Sequence, residues 1–207
     1  MSKDSFKKIV KKHIINFWEI KMRSEAATLT SLKFFNPNFM SLTSPHPIWT
    51  SAGSSPYQVT MSTVQADMLS GRYRTELLCR HWSSNKSGFC QLPSCQGRQI
   101  PEDLDHILAG CGSLQPTRRN LQDFTYKYCQ GLPELQKIMT SLIDILWTPT
   151  HPSFCQMLVD CSVIPEVISA KQQYGPIVYH HLYRITRTWC YCLHKARLQN
   201  LGRWKCI

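Results

Sequence analysis

Apolar residues Phe6, Ile9/Val10, Ile14, Phe17/Trp18 and Met22 recur every three or four positions with lysines between them, which predicts a long amphipathic helix over residues 5 to 34. Asn36-Pro37 is the natural stop, because a proline disfavours helical backbone in the residue before it. Residues 41 to 56 are rich in Ser, Thr and Pro (Pro45, Pro47, Pro56), a poor setting for a helix or a central strand, with Ile48 and Trp49 placed to pin this connector to the core. A second helix is predicted from Thr60 to Leu69 with Gly71 ending it, and a short one from Thr75 to Trp82. Helical periodicity returns at 116 to 129, 132 to 147 and 176 to 201, with Pro116, Pro133 and Pro176 suited to first turns. Strand signals are few and no internal repeat is present, so the expected fold is mainly α. Three stretches follow from this reading: 1–60, a basic helix and its connector; 61–130, a cysteine-bearing region; and 131–207, a C-terminal basic helical region.

Composition agrees with a folded chain, at 43% hydrophobic and 18% charged residues over 207 positions. The charge adds direction. The net value is +11, and the excess is concentrated at both ends: residues 1 to 24 carry seven Lys/Arg against two acids, and residues 167 to 207 carry seven and no acid. Between 83 and 160 the balance is six basic to seven acidic. Clustered cations attract polyanions by releasing counterions, so nucleic acid or an anionic membrane surface is the expected partner; the alternative is a set of solvated helix faces. No run approaches the roughly 20 apolar residues that cross a bilayer, and lysines interrupt the first 18 residues where a secretory core would lie. The ten cysteines are therefore expected to be thiols or metal ligands in a reducing, intracellular compartment, nucleus or cytoplasm being left open.

The segment that carries chemistry is Cys90, Cys95, His106 and Cys111, spaced C-x4-C-x10-H-x4-C. Three thiolates and an imidazole form a closed tetrahedral set for Zn2+, which contributes folding free energy and leaves no position for a catalytic water. Pro93 bends the first loop, while Pro101-Glu102-Asp103 opens a helix that would carry His106. Gly110 is expected to end that helix in a left-handed turn, returning Cys111 toward the imidazole. Cys79 and His81 are close enough in sequence to compete as ligands, and Asp105 is a candidate to orient the imidazole. Cys190 and Cys192, at i and i+2 on a helix, point to different faces and read as packed thiols; His180 and His181 likewise read as packed or solvated.

Arg72, Arg74, Arg80, Lys86, Arg118 and Arg119 flank the array, with Arg184 and Arg187 on the last helix; these are the expected nucleic-acid contacts, and Tyr73 and Trp82 could stack on bases. The run Met68-Leu-Ser-Gly71-Arg72-Tyr-Arg74, the Cys/Cys/His/Cys array and Leu114 to Arg118-Arg119 resemble the zinc-binding C-terminal region of non-LTR retrotransposon reverse transcriptases. The tail from Ile164 through Arg203-Trp204 is similar to the ends of such proteins. The first cysteine pair departs from the family's commoner two-residue gap. The adjacent aspartates of a polymerase are absent, and Asp123, Asp144 and Asp160 lack the flanking residues of the nuclease some related elements carry. The resemblance implies a detached, non-catalytic accessory domain that holds RNA or DNA, with the polymerase portion as a further partner and no small-molecule substrate. Two other readings stand beside it: a protein-interaction module docking by its N-terminal helix, and a nuclease.

Overall fold

In the computed structural model, residues 2–39, 41–132, 142 and 144–202 are described, and among them the chain is mainly helical with no sheet. Helix α1 (Lys3–Thr28) begins on the Ser2 side chain, which accepts from the Ser5 N–H at 3.2 Å. It stops short of the Asn36-Pro37 signal. Leu29 is extended, and the Thr28 hydroxyl donates to the Glu25 carbonyl at 2.7 Å, a local bond that competes with the helical ladder in this Thr- and Ser-rich stretch. A 3-10 turn (Thr30–Leu32) follows.

The connector is not devoid of helix: Pro47–Thr50 forms one turn, α2, capped by the His46 ring, whose Nδ1 accepts from the Ile48 N–H at 3.3 Å. Ile48 is buried as expected, while Trp49 stays exposed. Helix α3 (Pro56–Leu69) starts four residues before the periodicity implies, because Ser55 caps it and Pro56 fits its first turn. Gly71 ends it with φ +68, and a Cβ there would stand 2.5 Å from the Ser31 carbonyl oxygen, so only glycine fits. Helix α4 (Glu76–Arg80) is capped by Thr75, and α5 spans Gln115–Gln130.

Two helices escape the periodicity. Helix α6 (Phe154–Val159) buries Phe154, Cys155, Met157, Leu158 and Val159 and leaves only Gln156 partly exposed, too little of a polar face to reveal a period. Helix α7 (Pro165–Tyr174) is short and buries only Val167 and Ala170. Of the predicted 132 to 147 helix, residues 133–141 and 143 lie outside the described residues; 142 and 144–147 are helical.

Helix α8 (Ile177–Asn200) is the axis of the fold, touching α2, α3, α5, α6, α7 and the turn that carries His106. Trp189 on it is fully buried, edge-on to Phe154, and its Nε1–H donates to the Thr125 hydroxyl at 2.9 Å. The core draws on all three stretches of the chain, Phe34 and Ile48 from the first, Leu92 and Leu108 from the second, and Trp189 from the third. Among the described residues no helix is long and apolar enough to cross a membrane.

Candidate metal centre

The first ligand-bearing loop begins with a single antiparallel bridge between Phe89 and Pro101. The Cys90 N–H donates to the Ile100 carbonyl at 2.8 Å and the Glu102 N–H to the Gly88 carbonyl at 3.0 Å, so the two flanks of the loop are tied together. Leu92, fully buried, anchors the 3-10 turn Pro93–Cys95, and the Cys95 N–H closes it onto the Leu92 carbonyl at 2.8 Å. On the other side, the Asp103 carboxylate accepts from the His106 N–H at 2.8 Å and caps the start of the second turn.

That turn is a π turn, His106–Gly110, and its end differs from the sequence expectation. Gly110 is not left-handed; instead the Cys111 N–H reaches five residues back to the His106 carbonyl at 2.6 Å. The wider turn brings residues five apart together, which an α-helical turn would not do. Gly110 still has a role there, since a Cβ would lie 3.3 Å from the His106 ring.

Cys90, Cys95, His106 and Cys111 thereby present four ligand atoms that all lie within 4.8 Å of one another, a group that could hold a metal ion. The three cysteines are buried and the histidine half-buried. Neither Cys79 nor His81 belongs to the group. Burial pushes the Cys90 and Cys111 thiols up and the His106 imidazole down. The imidazole is thus favoured in the neutral form that can ligate a metal, and the thiols hold their protons more tightly than free cysteine does. Asp105 is paired with Lys33, so its carboxylate is committed elsewhere than to the imidazole.

No protein-family model, no curated protein and no solved structure matches this chain.

The basic residues around the centre divide into two sets. Arg72, Arg74, Arg80, Arg119 and Arg184 are exposed, and Lys86 is half-buried in a 3.1 Å pair with Glu76. Arg184 also lies over the Tyr128 ring. Arg118 and Arg187 do not belong to the surface, and this corrects the expectation for both. Arg118 is buried and donates to the Cys111 carbonyl at 2.5 Å and the Gln115 amide oxygen at 3.1 Å. Arg187 is buried and donates to the Ser51 carbonyl at 2.6 Å and the Ser62 hydroxyl at 3.2 Å. Each satisfies backbone oxygens that water cannot reach, and neither can contact a phosphate.

Tyr73 is a core residue, its hydroxyl 3.0 Å from His194 Nδ1, whereas Trp82 is 69% exposed. Arg72, Arg74 and Trp82 line one cleft together with Tyr73, His194 and Arg197. The last two were missed by sequence reasoning. Arg197 is buried and ion-paired with buried Glu102, joining α8 to the metal segment across 95 positions. Its one signal in the sequence was its place in a helix otherwise rich in apolar residues.

Among the described residues the Cys3His set is the only group of three or more metal-ligating side chains brought together. Asp123 and Asp144 are exposed, and Asp160 is buried, accepting from the Tyr183 hydroxyl at 2.6 Å and the Ser162 hydroxyl at 2.7 Å. Cys190 is a buried thiol donating to the Leu158 carbonyl at 3.3 Å, Cys192 is half-buried, and His181 bonds the Tyr128 hydroxyl at 2.8 Å.

Proposed function

We propose that this chain is a zinc-stabilised nucleic-acid-binding accessory domain, without catalysis of its own, comparable in role to the C-terminal region of a non-LTR retrotransposon reverse transcriptase. The observation that carries the reading is the closeness of four soft and borderline ligands in a buried pocket beside exposed arginines. With bonds of about 2.3 Å to thiolate and about 2.0 Å to imidazole, a tetrahedral zinc has S···S edges of about 3.8 Å and S···N edges of about 3.5 Å. Cys95 Sγ lies 3.8 Å from Cys111 Sγ and 3.4 Å from His106 Nε2, which fits. Bound Zn2+ supplies cohesion between the two turns. Cys90, Cys95, His106 and Cys111 would fill its coordination, leaving no position for a reacting water.

Arg72, Arg74, Arg80, Arg119 and Arg184 supply the phosphate contacts, and the partner is RNA or DNA held for a polymerase elsewhere in the element's protein. Two measurements test this. Elemental analysis should find one zinc per chain. Fluorescence anisotropy with labelled RNA and DNA should show affinity falling steeply between about 50 and about 200 mM salt. Salt-independent binding, or none at low ionic strength, sinks the reading.

A second reading rests on α1, which buries no residue along its length and leaves Phe6, Ile9, Ile14 and Phe17 exposed. An apolar stripe of that kind fits a helix that docks on a protein partner. Self-association in size-exclusion chromatography, abolished by Phe17→Glu, would favour it.

A further inference from the structure

The cleft of about 560 Å³ beside the Gly71 turn has a makeup that the general basic surface lacks. Its rim carries two exposed guanidinium groups, Arg72 and Arg74, and the exposed indole of Trp82. Its floor is Tyr73, His194 and Arg197, which are held fixed. Arg197 is pinned by Glu102 and lies over the Tyr73 ring at 5.7 Å, and Tyr73 is bonded to His194. Because Glu102 neutralises Arg197, the free positive charge of the cleft comes from Arg72 and Arg74. Asp67, 3.7 Å from Arg72 Nε, offsets part of it.

The geometry points to a subsite for one unpaired nucleotide of a single strand, its base stacked on Trp82 and its phosphate held by Arg72 and Arg74. The inference rests on the nucleic-acid reading above and narrows it. A duplex offers phosphates but covers the faces of its bases, so a concave site with a stacking ring gains nothing from paired strands. A rigid floor limits the ordering that binding must impose, since only Trp82 and the two arginines have freedom to lose. The cleft sets guanidinium groups beside ring faces, which suits a nucleotide better than an apolar side chain.

The test uses the full zinc-loaded chain and two labelled probes of equal length, a 12-residue single-stranded oligo-U and a mixed-sequence RNA duplex. Trp82→Ala should weaken oligo-U binding by roughly 10-fold, the loss expected for one stacked base, and leave duplex affinity within about 2-fold. Trp82→Phe should restore most of the affinity. Arg72→Ala with Arg74→Ala should weaken both probes and lower the salt slope. Trp49→Ala, an exposed indole outside the cleft, should change neither, and unchanged melting temperatures show that each variant is folded. Equal loss for both probes in Trp82→Ala, or none for either, overturns the subsite while leaving general binding intact. Competition by polyglutamate as strong as by oligo-U also overturns it, reducing the cleft to a site for any anion. If the unaltered chain binds neither probe, the nucleic-acid reading itself fails, a result distinct from these.

Discussion

Ser94 and Ser113 exchange hydrogen bonds in both directions: the Ser94 N–H donates to the Ser113 hydroxyl oxygen at 2.9 Å, and the Ser113 N–H to the Ser94 hydroxyl oxygen at 2.7 Å. Each serine adjoins or nearly adjoins a ligand, Cys95 in one turn and Cys111 in the other. Gly112 permits the approach, since a Cβ there would come within 3.1 Å of the Ser94 hydroxyl. Removing either hydroxyl leaves a backbone donor to water and unties the two turns that carry Cys95 and Cys111. Ser94→Ala and Ser113→Ala should each lower metal affinity by about 10-fold, and the double variant should lose little more, because the pair acts as a unit. Competition against a chromophoric chelator measures this; additive losses would show that the two do not act together.

Arg118 and Arg119 are neighbours in sequence with opposite surroundings. Arg118→Ala leaves the Cys111 carbonyl without its partner and opens a void beside the metal turn, so it should cost about 3 kcal/mol of stability. Arg119→Ala, at an exposed position, should stay within about 0.5 kcal/mol and instead weaken nucleic-acid binding. Denaturant titration of both variants, paired with anisotropy, separates the roles.

The Glu102–Arg197 pair is buried on both sides. Glu102→Gln leaves the Arg197 charge uncompensated and should destabilise the chain by about 3 to 5 kcal/mol, while the double change Glu102→Gln with Arg197→Met, which keeps an acceptor for the Glu76 N–H, should recover most of that. Thermal melts of the three proteins decide it, and a single variant as stable as the parent would show the pair to be dispensable.

Metal affinity and metal-free stability should respond to pH in opposite senses. Burial raises the Cys90 and Cys111 thiols, so a cation must displace their protons and its affinity rises as pH increases. In the metal-free chain Cys129 is pushed up to about 11 and Cys155 to about 12, from an ordinary 9.0. A folded-state pKa above the unfolded one means the contribution is fully present below the ordinary thiol value and lost as pH climbs past it. Denaturation midpoints of the metal-free chain should therefore fall above about pH 9, whereas chelator competition should show tighter metal at each step from about pH 6 to about pH 8. A metal-free midpoint that rises with alkalinity would contradict the assignment.

The ligands were legible because they are local. Spacing alone brought Cys90, Cys95, His106 and Cys111 into one group, since turns of a few residues are set by nearby backbone. The means of closure was not legible: a π turn and a left-handed glycine cap can serve the same spacing, and only the Cys111 to His106 bond distinguishes them. Helix α1 followed from periodicity, but its end at Thr28 depended on side-chain bonding that a pattern of apolar positions does not contain. Burial of cations was the main blind spot. Arg118 and Arg187 look like surface charge in a sequence, and their real task, meeting the Cys111 and Ser51 carbonyls, exists only once distant segments have come together. Helix α6 was invisible for the converse reason, being six residues long with Gln156 its one polar side chain.

Because α8 supplies the surface on which α3, α5, α6 and α7 settle, the order of synthesis sets the order in which the protein can fold. Cys111 leaves the ribosome about 86 residues before Arg197 does, an interval of about 4 to 17 s at translation rates of about 5 to 20 residues per second. During that time the turns bearing the ligands exist and their scaffold does not. A cation taken up by the nascent segment would close both turns early, so that Glu102 would already be in position when α8 delivers Arg197 to it. Such an ion would serve first as a placeholder during translation, and a cell short of it would feel the shortage as slow maturation of newly made chains before any loss in those already folded.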